Sequence, residues 1–125
     1  IIVICTRKLT KNIFSIATFI NLNSSILPFY RCRDSEARAL RDRNFDKIGV
    51  TIHGVDVGLD TGPMFKQRRQ TVLPRDTAKS LRWKNIYLAA ELFDEVIVGI
   101  QNGSIIIVPQ EVVRGKAMPK RQLSY

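Results

Sequence analysis

Histidine occurs once, at His53, and cysteine twice, at Cys5 and Cys32. One imidazole and two separated thiols do not compose a nitrogen and sulfur metal site, so no bound metal is expected. Two cysteines make no disulfide framework either, and a reducing, cytoplasmic setting is the simpler expectation. No apolar run approaches the roughly 18 to 20 residues needed to span a bilayer, and no membrane partner is expected. Acidic residues are scarce: 11 Asp and Glu stand against 20 Lys and Arg, a formal net charge of +9, and none precedes Asp34. The acid-free start, with Arg7, Lys8, Lys11, Arg31 and Arg33, has the composition of a transit peptide. Ile1-Ile2-Val3-Ile4 nevertheless reads better as a buried strand. The first residue is Ile1 rather than Met, which suggests a fragment or a trimmed chain.

What is present fits one domain. The 125 residues, 45% hydrophobic and 25% charged, suffice for a single core and argue against disorder. The positive excess gathers in residues 66–84, where Lys66, Arg68, Arg69, Arg75, Lys79, Arg82 and Lys84 face Asp76 alone. Such a patch is either a solvated face or an attractor of polyanions, including nucleic acid such as tRNA. Aromatics do not recur there in a base-stacking pattern, which favours the solvated face.

Strand and helix signals alternate. Residues 10–16 form a candidate short helix capped by Thr10, and Thr18–Leu22 a second strand that ends in the polar cluster Asn21, Asn23, Ser24 and Ser25. Residues 34–46 read as an exposed helix with i,i+4 pairs such as Asp34–Arg38, with the chain leaving the helix over Asp42–Asp46. Gly49–Val55 is rich in β-branched residues and bounded by glycine, a strand signature. A loop over Gly58–Pro63 follows, then a strand over Met64–Val72 whose polar face carries Lys66 and Arg68. The plainest element is a helix from about Thr77 to Gln101. Leu81, Leu88, Leu92, Val96 and Ile100 form its apolar stripe, Ala89 and Phe93 widen it, Asp76 or Thr77 caps the start, and Asn102-Gly103 ends it. Trp83 and Phe93 are expected on the core. Ile105–Val108 is a last candidate strand. Residues 1–110 form the expected domain and 111–125 a basic tail. The alternation predicts an α/β fold: a partial Rossmann-like domain, a mostly parallel sheet flanked by helices, truncated at its N-terminus.

Two segments carry chemistry. One is Asn21-Leu22-Asn23-Ser24-Ser25-Ile26-Leu27-Pro28-Phe29-Tyr30-Arg31. The other is Gly49-Val50-Thr51-Ile52-His53, running through Val55-Asp56-Val57-Gly58-Leu59-Asp60-Thr61-Gly62-Pro63. Together they resemble the folate-dependent formyltransferase family, which includes glycinamide ribonucleotide, methionyl-tRNA and sugar N-formyltransferases. There the first motif runs Asn-x-His-Pro-Ser-Leu-Leu-Pro, and the second closes on Leu/Ile-Asp-x-Gly-Pro. The resemblance covers nearly the whole chain. It implies that Asn21 and Asp60 are catalytic, that Asn23 stands where the family has its catalytic histidine, and that Val57, Gly58, Leu59 and Asp60 line the folate site. His53 falls on a strand histidine outside the catalytic set. Ser24 replaces the motif's proline, and Cys32 the glycine after Tyr-Arg. The implied co-substrate is 10-formyltetrahydrofolate. The implied acceptor is an amine on a nucleotide, a sugar nucleotide or an aminoacyl-tRNA.

The residue types suit that chemistry. Attack of an amine on a formyl carbon develops negative charge on oxygen, which an amide N–H such as Asn21's stabilises by about 3 to 4 kcal/mol in comparable sites. A carboxylate at 60 manages the protons of the attacking amine or orients a histidine. An asparagine at 23 donates a hydrogen bond but does not exchange a proton near neutrality. The degenerate motif therefore implies impaired catalysis, on the order of 100- to 10,000-fold if proton handling is required. The alternative is a non-catalytic formyltransferase-like binding protein, a pseudoenzyme. Outside the motif, Asp60 before Thr-Gly-Pro is ordinary turn chemistry, Asn21 an ordinary strand-end residue, and His53 a structural histidine of the sheet.

Overall fold

The computed structural model describes residues 2–3, 10–13, 16–31, 33–56 and 62–110. Its centre is a four-stranded sheet in the order β1 (Ile2–Val3), β2 (Ile20–Asn23), β3 (Gly49–Gly54), β4 (Met64–Arg69). The α/β class stands, but the pairing differs from the mostly parallel sheet expected. Strands β1 and β2 are parallel, whereas β2–β3 and β3–β4 are antiparallel. For β3–β4 the connection gives the reason, since a parallel pair needs a crossover; the connection from β2 to β3 holds α1 and is long enough for either sense. The segment from Gly54 to Met64 is too short to hold a crossover helix, so β4 folds back on β3.

Helix α1 spans Ser35–Arg41 and helix α2 Ala78–Asn102. Helix α2 lies across β3 and β4. Leu92 and Val96 of its buried stripe are fully enclosed, as are Val50 and Ile52 of β3, and Ile20, Ala89 and Phe93 complete the cluster. Complete burial of one such aliphatic side chain favours folding by about 1.5 to 3 kcal/mol. A second cluster joins Leu81 to Ala39 of α1 and to Ile48.

Both ends of α2 follow the sequence reading. The Thr77 hydroxyl accepts from the Ser80 N–H at 3.2 Å and the Ser80 hydroxyl from the Thr77 N–H at 2.9 Å, a reciprocal cap. Gly103 ends the helix at φ 71°, a left-handed conformation that glycine adopts without strain. The middle departs from it. Trp83 is 56% and Ile100 49% exposed rather than on the core. Trp83 lies two residues from both Leu81 and Asn85, about 200° around the helix from each buried neighbour. Ile100 follows Gly99, the last buried position of the helix, and points about 100° around the helix from it.

Five smaller expectations are corrected. Residues 10–16 give a 3-10 turn at Lys11–Ile13 instead of an α-helix. The second strand runs Ile20–Asn23, and β4 stops at Arg69. Ile105–Val108 forms no strand: a single antiparallel bridge joins Met64 and Val108, because the Ile105 N–H turns back to the Gly99 carbonyl at 3.2 Å. Helix α1 is not an exposed face laced by Asp34–Arg38. Ser35, Glu36, Arg38 and Ala39 are buried, and Asp34 and Glu36 both pair with Arg82 of α2. The expected basic tail lies outside the described residues.

At the entrance to α2, the Asp76 carboxylate accepts from the Lys84 ammonium at 2.6 Å, the Leu73 N–H at 2.8 Å and the Ser80 hydroxyl at 2.8 Å. Lys84 first, and the Leu73 amide second, hold its pKa down to about 2 from an ordinary 3.8. A depressed carboxylate stabilises the fold fully above its unfolded value and loses that contribution as pH falls through the folded one. Thermal melts should therefore show stability declining between about pH 4 and pH 2 in the parent chain. The Asp76→Asn variant should start lower near neutrality and decline less across that window.

Candidate active site

Side chains alternate across β2, so Ile20 and Leu22 face α2 while Asn21 and Asn23 face the other way. Asn21 pairs in register with His53, and Asn23 with Thr51. Directly opposed side chains on one face have Cβ atoms about 5 Å apart. Gln67 of β4 extends the row beyond Thr51. The sheet therefore has an apolar face under α2 and a polar face made by Asn21, Asn23, Thr51, His53 and Gln67.

The segment after β2 crosses this polar face. The Thr51 hydroxyl donates to the Ser25 carbonyl at 2.7 Å and accepts from the Leu27 N–H at 3.1 Å. The Gln67 amide donates to the Leu27 carbonyl at 2.8 Å and to the Thr51 hydroxyl at 3.0 Å. The Leu27–Pro28 peptide is cis. Thr51 is fully buried, so its hydroxyl replaces with internal bonds the water that the turn's backbone would otherwise need.

The two asparagines have different surroundings. Asn23 is 5% exposed, and its Oδ1 accepts from the Ser25 hydroxyl at 2.7 Å, with the Ser35 hydroxyl farther off at 3.4 Å. It ties the turn to the start of α1. Asn21 is half-buried, and its Oδ1 is enclosed with no hydrogen-bond partner among the described residues. An orphaned buried acceptor costs about 1 to 3 kcal/mol, so the position is one where a polar group from outside the chain is favoured. His53 is 1% exposed, and its Nδ1 lies 2.8 Å from the Gly54 carbonyl. A carbonyl only accepts, so Nδ1 carries the proton, and in the uncharged ring Nε2 is the acceptor. The structural reading of His53, bonded within the sheet, holds.

Val57, Gly58, Leu59 and Asp60 lie outside the described residues, but both ends of their loop are anchored. On the upstream side, the Val55 N–H donates to the Phe19 carbonyl at 2.9 Å. Downstream, the Pro63 carbonyl accepts from the Gly54 N–H at 2.7 Å. Gly62 lies so close to this strand that a Cβ on it would come within 1.8 Å of the Gly54 carbonyl oxygen. Gly54 is in register with Ile20, one residue from Asn21. The loop thus leaves and rejoins the sheet beside Asn21.

The sequence reading missed Gln110 and the bridging role of Arg31. The Arg31 guanidinium donates to Gln110 Oε1 at 3.1 Å, and Gln110 Nε2 donates to the Gly62 carbonyl at 2.6 Å. Separations of 79 and 48 residues leave no local pattern that could have found them.

The basic segment is largely neutralised. Lys66 and Arg68 pair with Glu95, which they hold below the usual carboxylate range, Lys66 more strongly. Arg82 pairs with Asp34 and Glu36, and Lys84 with Asp76. A cavity of about 240 Å³ lined by Phe65, Lys66, Glu95, Gly99, Ser104 and Ile105 opens on the α2 side. It lies across the sheet from Asn21, and its two charged side chains pair with each other. Among the described residues no group of three His, Cys, Asp or Glu could hold a metal ion, and no helix is long and apolar enough to cross a membrane.

The α/β sheet carries Asn21 one register position from the strand end where the glycine-proline segment rejoins, and the comparisons with known proteins give this arrangement a family. The chain belongs to the formyl transferase family, whose model matches residues 1–97. It is 39% identical over 102 residues to a methionyl-tRNA formyltransferase of Dictyoglomus turgidum, covering 81% of this chain and 32% of that protein. Among solved structures it resembles the formyltransferase PseJ from Anoxybacillus kamchatkensis, determined with UDP-4,6-dideoxy-4-formamido-L-AltNAc and tetrahydrofolate. That match has TM-score 0.74 and 31% identity, and covers 89% of this chain and 59% of that one. A phosphoribosylglycinamide formyltransferase from Anaplasma phagocytophilum matches at TM-score 0.63 and 27% identity, covering 68% of this chain and 40% of that one. The chain spans about a third of the length of the curated relatives it matches.

Proposed function

We propose that this chain carries out formyl transfer from 10-formyltetrahydrofolate to a substrate amine, slowed by the asparagine at 23. The single observation behind the reading is the Asn21 amide on the polar face beside the base of the 57–61 loop: its enclosed Oδ1 has no partner among the described residues, so no internal bond at that oxygen fixes which way the amide presents its N–H. The folate supplies an activated formyl carbon. In this proposal Asn21 donates its amide N–H to the oxygen on which charge develops. As the amine bonds to the formyl carbon, Asp60 takes up or orients the amine's proton, the bond from that carbon to the folate nitrogen breaks, and the nitrogen leaves with a proton; Val57, Gly58, Leu59 and Asp60 line the folate site. The chemistry of the donor set fits such a ligand: a neutral amide and a carboxylate suit a polar, hydrogen-bonding pterin better than a metal or a polyphosphate.

For the amine, the relatives named above are a methionyl-tRNA formyltransferase, an enzyme solved with a sugar nucleotide and a phosphoribosylglycinamide formyltransferase, so aminoacyl-tRNA, sugar-nucleotide and nucleotide amines are the acceptors to test. The basic 66–84 segment favours tRNA less than its composition suggests. Four of its seven cations are engaged with carboxylates, and Arg69 lies within electrostatic reach of Asp46. The second reading, a non-catalytic binding protein, draws on Asn23, whose Oδ1 is engaged with Ser25 inside the protein.

Isothermal titration with 5-formyltetrahydrofolate decides between folate binding and its absence. Binding should be measurable in the parent chain and weaken roughly tenfold or more in Asp60→Ala, the loss of one charged hydrogen-bond partner. A folded parent chain that takes up no folate would remove the proposal.

A further inference from the structure

We propose that Gln110 is a positioning residue for the transfer site. It holds the Gly62 end of the 57–61 loop at a set distance from the Arg31 end of the turn after β2. The inference rests on the proposed formyl transfer for its catalytic consequence, but not for its structural part.

Gln110 is 8% exposed, and each end of its amide meets a group that fixes its orientation. Arg31 is a donor only, so it must face Oε1, and the Gly62 carbonyl is an acceptor only, so it must face Nε2. The observed contacts obey that rule, at 3.1 Å from Arg31 and 2.6 Å to Gly62. No other residue type of this size supplies both an acceptor and a donor in that geometry. Glutamate keeps the acceptor for Arg31 and turns a second lone pair on the Gly62 carbonyl.

The two anchors are themselves constrained. Gly62 has no space on the side of β3, where a Cβ would meet the Gly54 carbonyl. Gln110 is delivered by the bridge two residues earlier, in which Met64 and Val108 exchange N–H···O bonds of 2.7 and 2.9 Å. Arg31 closes the segment that Thr51 and Gln67 pin to the polar face. One side chain therefore connects the segment that carries Asn21 and Asn23 to the loop that carries Asp60, two residues before Gly62. Misplacement of a reacting group by about 1 Å commonly costs on the order of 100-fold in rate, so a bond at this junction matters for turnover out of proportion to its own strength.

The test uses the full chain with Gln110→Ala and the near-isosteric Gln110→Glu, read by hydrogen exchange of the stretch formed by the loop's two ends, residues 54–56 and 62, and by steady-state formyl transfer. Amide exchange in that stretch should quicken roughly tenfold in both variants, the loss of one buried hydrogen bond. The turnover number kcat should fall by about 10- to 100-fold, and KM for the folate should rise with it, because the loop that Gln110 holds lines the proposed folate site. Gln110→Glu should be as impaired as Gln110→Ala even though it keeps a partner for Arg31. Parental exchange in a folded Gln110→Glu overturns the inference whatever the activity. Quickened exchange with parental kcat overturns the catalytic part alone. If the parent chain transfers no formyl group, the proposed function fails, and the exchange measurement still decides whether Gln110 holds the loop.

Discussion

Replacing Asn21 with alanine should lower formyl transfer by roughly 100- to 1,000-fold, the usual cost of removing one donor to a developing oxyanion. The fold should barely notice. Asn21 Oδ1 has no internal partner among the described residues, so the substitution breaks no bond through that atom and removes an acceptor that was itself unfavourable. Melting temperature and denaturant midpoint should stay within the change typical of a neutral site, about 0.5 kcal/mol. This split between activity and stability separates a functional amide from a strand-end residue. Asn21→Asp sharpens it, because an ionised carboxylate has nearly the same shape but only accepts. It should be at least as inactive as alanine, and worse if negative charge develops nearby. Transfer by Asn21→Ala within about threefold of the parent, with folate still bound, would mean that charge is stabilised elsewhere.

Much of this architecture was legible along the chain because local chemistry and tertiary demand coincide there. The β-branched run Gly49–Gly54 is buried throughout and is a strand, and Thr77 and Gly103 mark the two ends of α2. Asn21 and Asp60 became candidates only through the resemblance of two motifs to a family, since each alone reads as ordinary strand-end or turn chemistry. What escaped is what depends on partners far along the chain. Glu36 reads as a solvated acid on an exposed helix, yet it is 2% exposed because Arg82, 46 residues on, reaches it. The charges of Lys66 and Arg68 suggest an open basic face, yet their strand positions turn them toward α2, where Glu95 neutralises them. Asn85 is polar and fully buried within the stripe of α2, a place that periodicity assigns to an apolar side chain. The antiparallel sense of β2 and β3 likewise escaped, because a connection that holds a helix allows either sense and the hydrophobic pattern does not encode which.

The second large effect is a gain. Asn23→His should raise formyl transfer by about 100- to 10,000-fold, the range for a positioned general acid or base. The reason lies in which atom of Asn23 the protein uses. Its Oδ1 accepts from Ser25 at 2.7 Å, and an imidazole Nδ1 sits at nearly the same distance from the backbone as that oxygen. A histidine at 23 that accepts from Ser25 through Nδ1 carries its proton on Nε2, the farther nitrogen, in the tautomer suited to donate toward a reacting group. The pH profile of kcat should then acquire a limb near the ordinary imidazole value of about 6.5 that the parent lacks. The ring is larger than the amide and the site only 5% exposed, so the variant should lose about 1 to 3 kcal/mol of stability to overpacking. Asn23→Gln is the control, since it adds bulk without a titratable group and should lose stability with no gain in rate. A folded Asn23→His chain that binds folate but transfers no faster than the parent, with an unchanged pH profile, would show that proton handling at 23 is not what limits this molecule. The non-catalytic binding protein would then be the better description, because the remaining site would hold its ligand without turning it over.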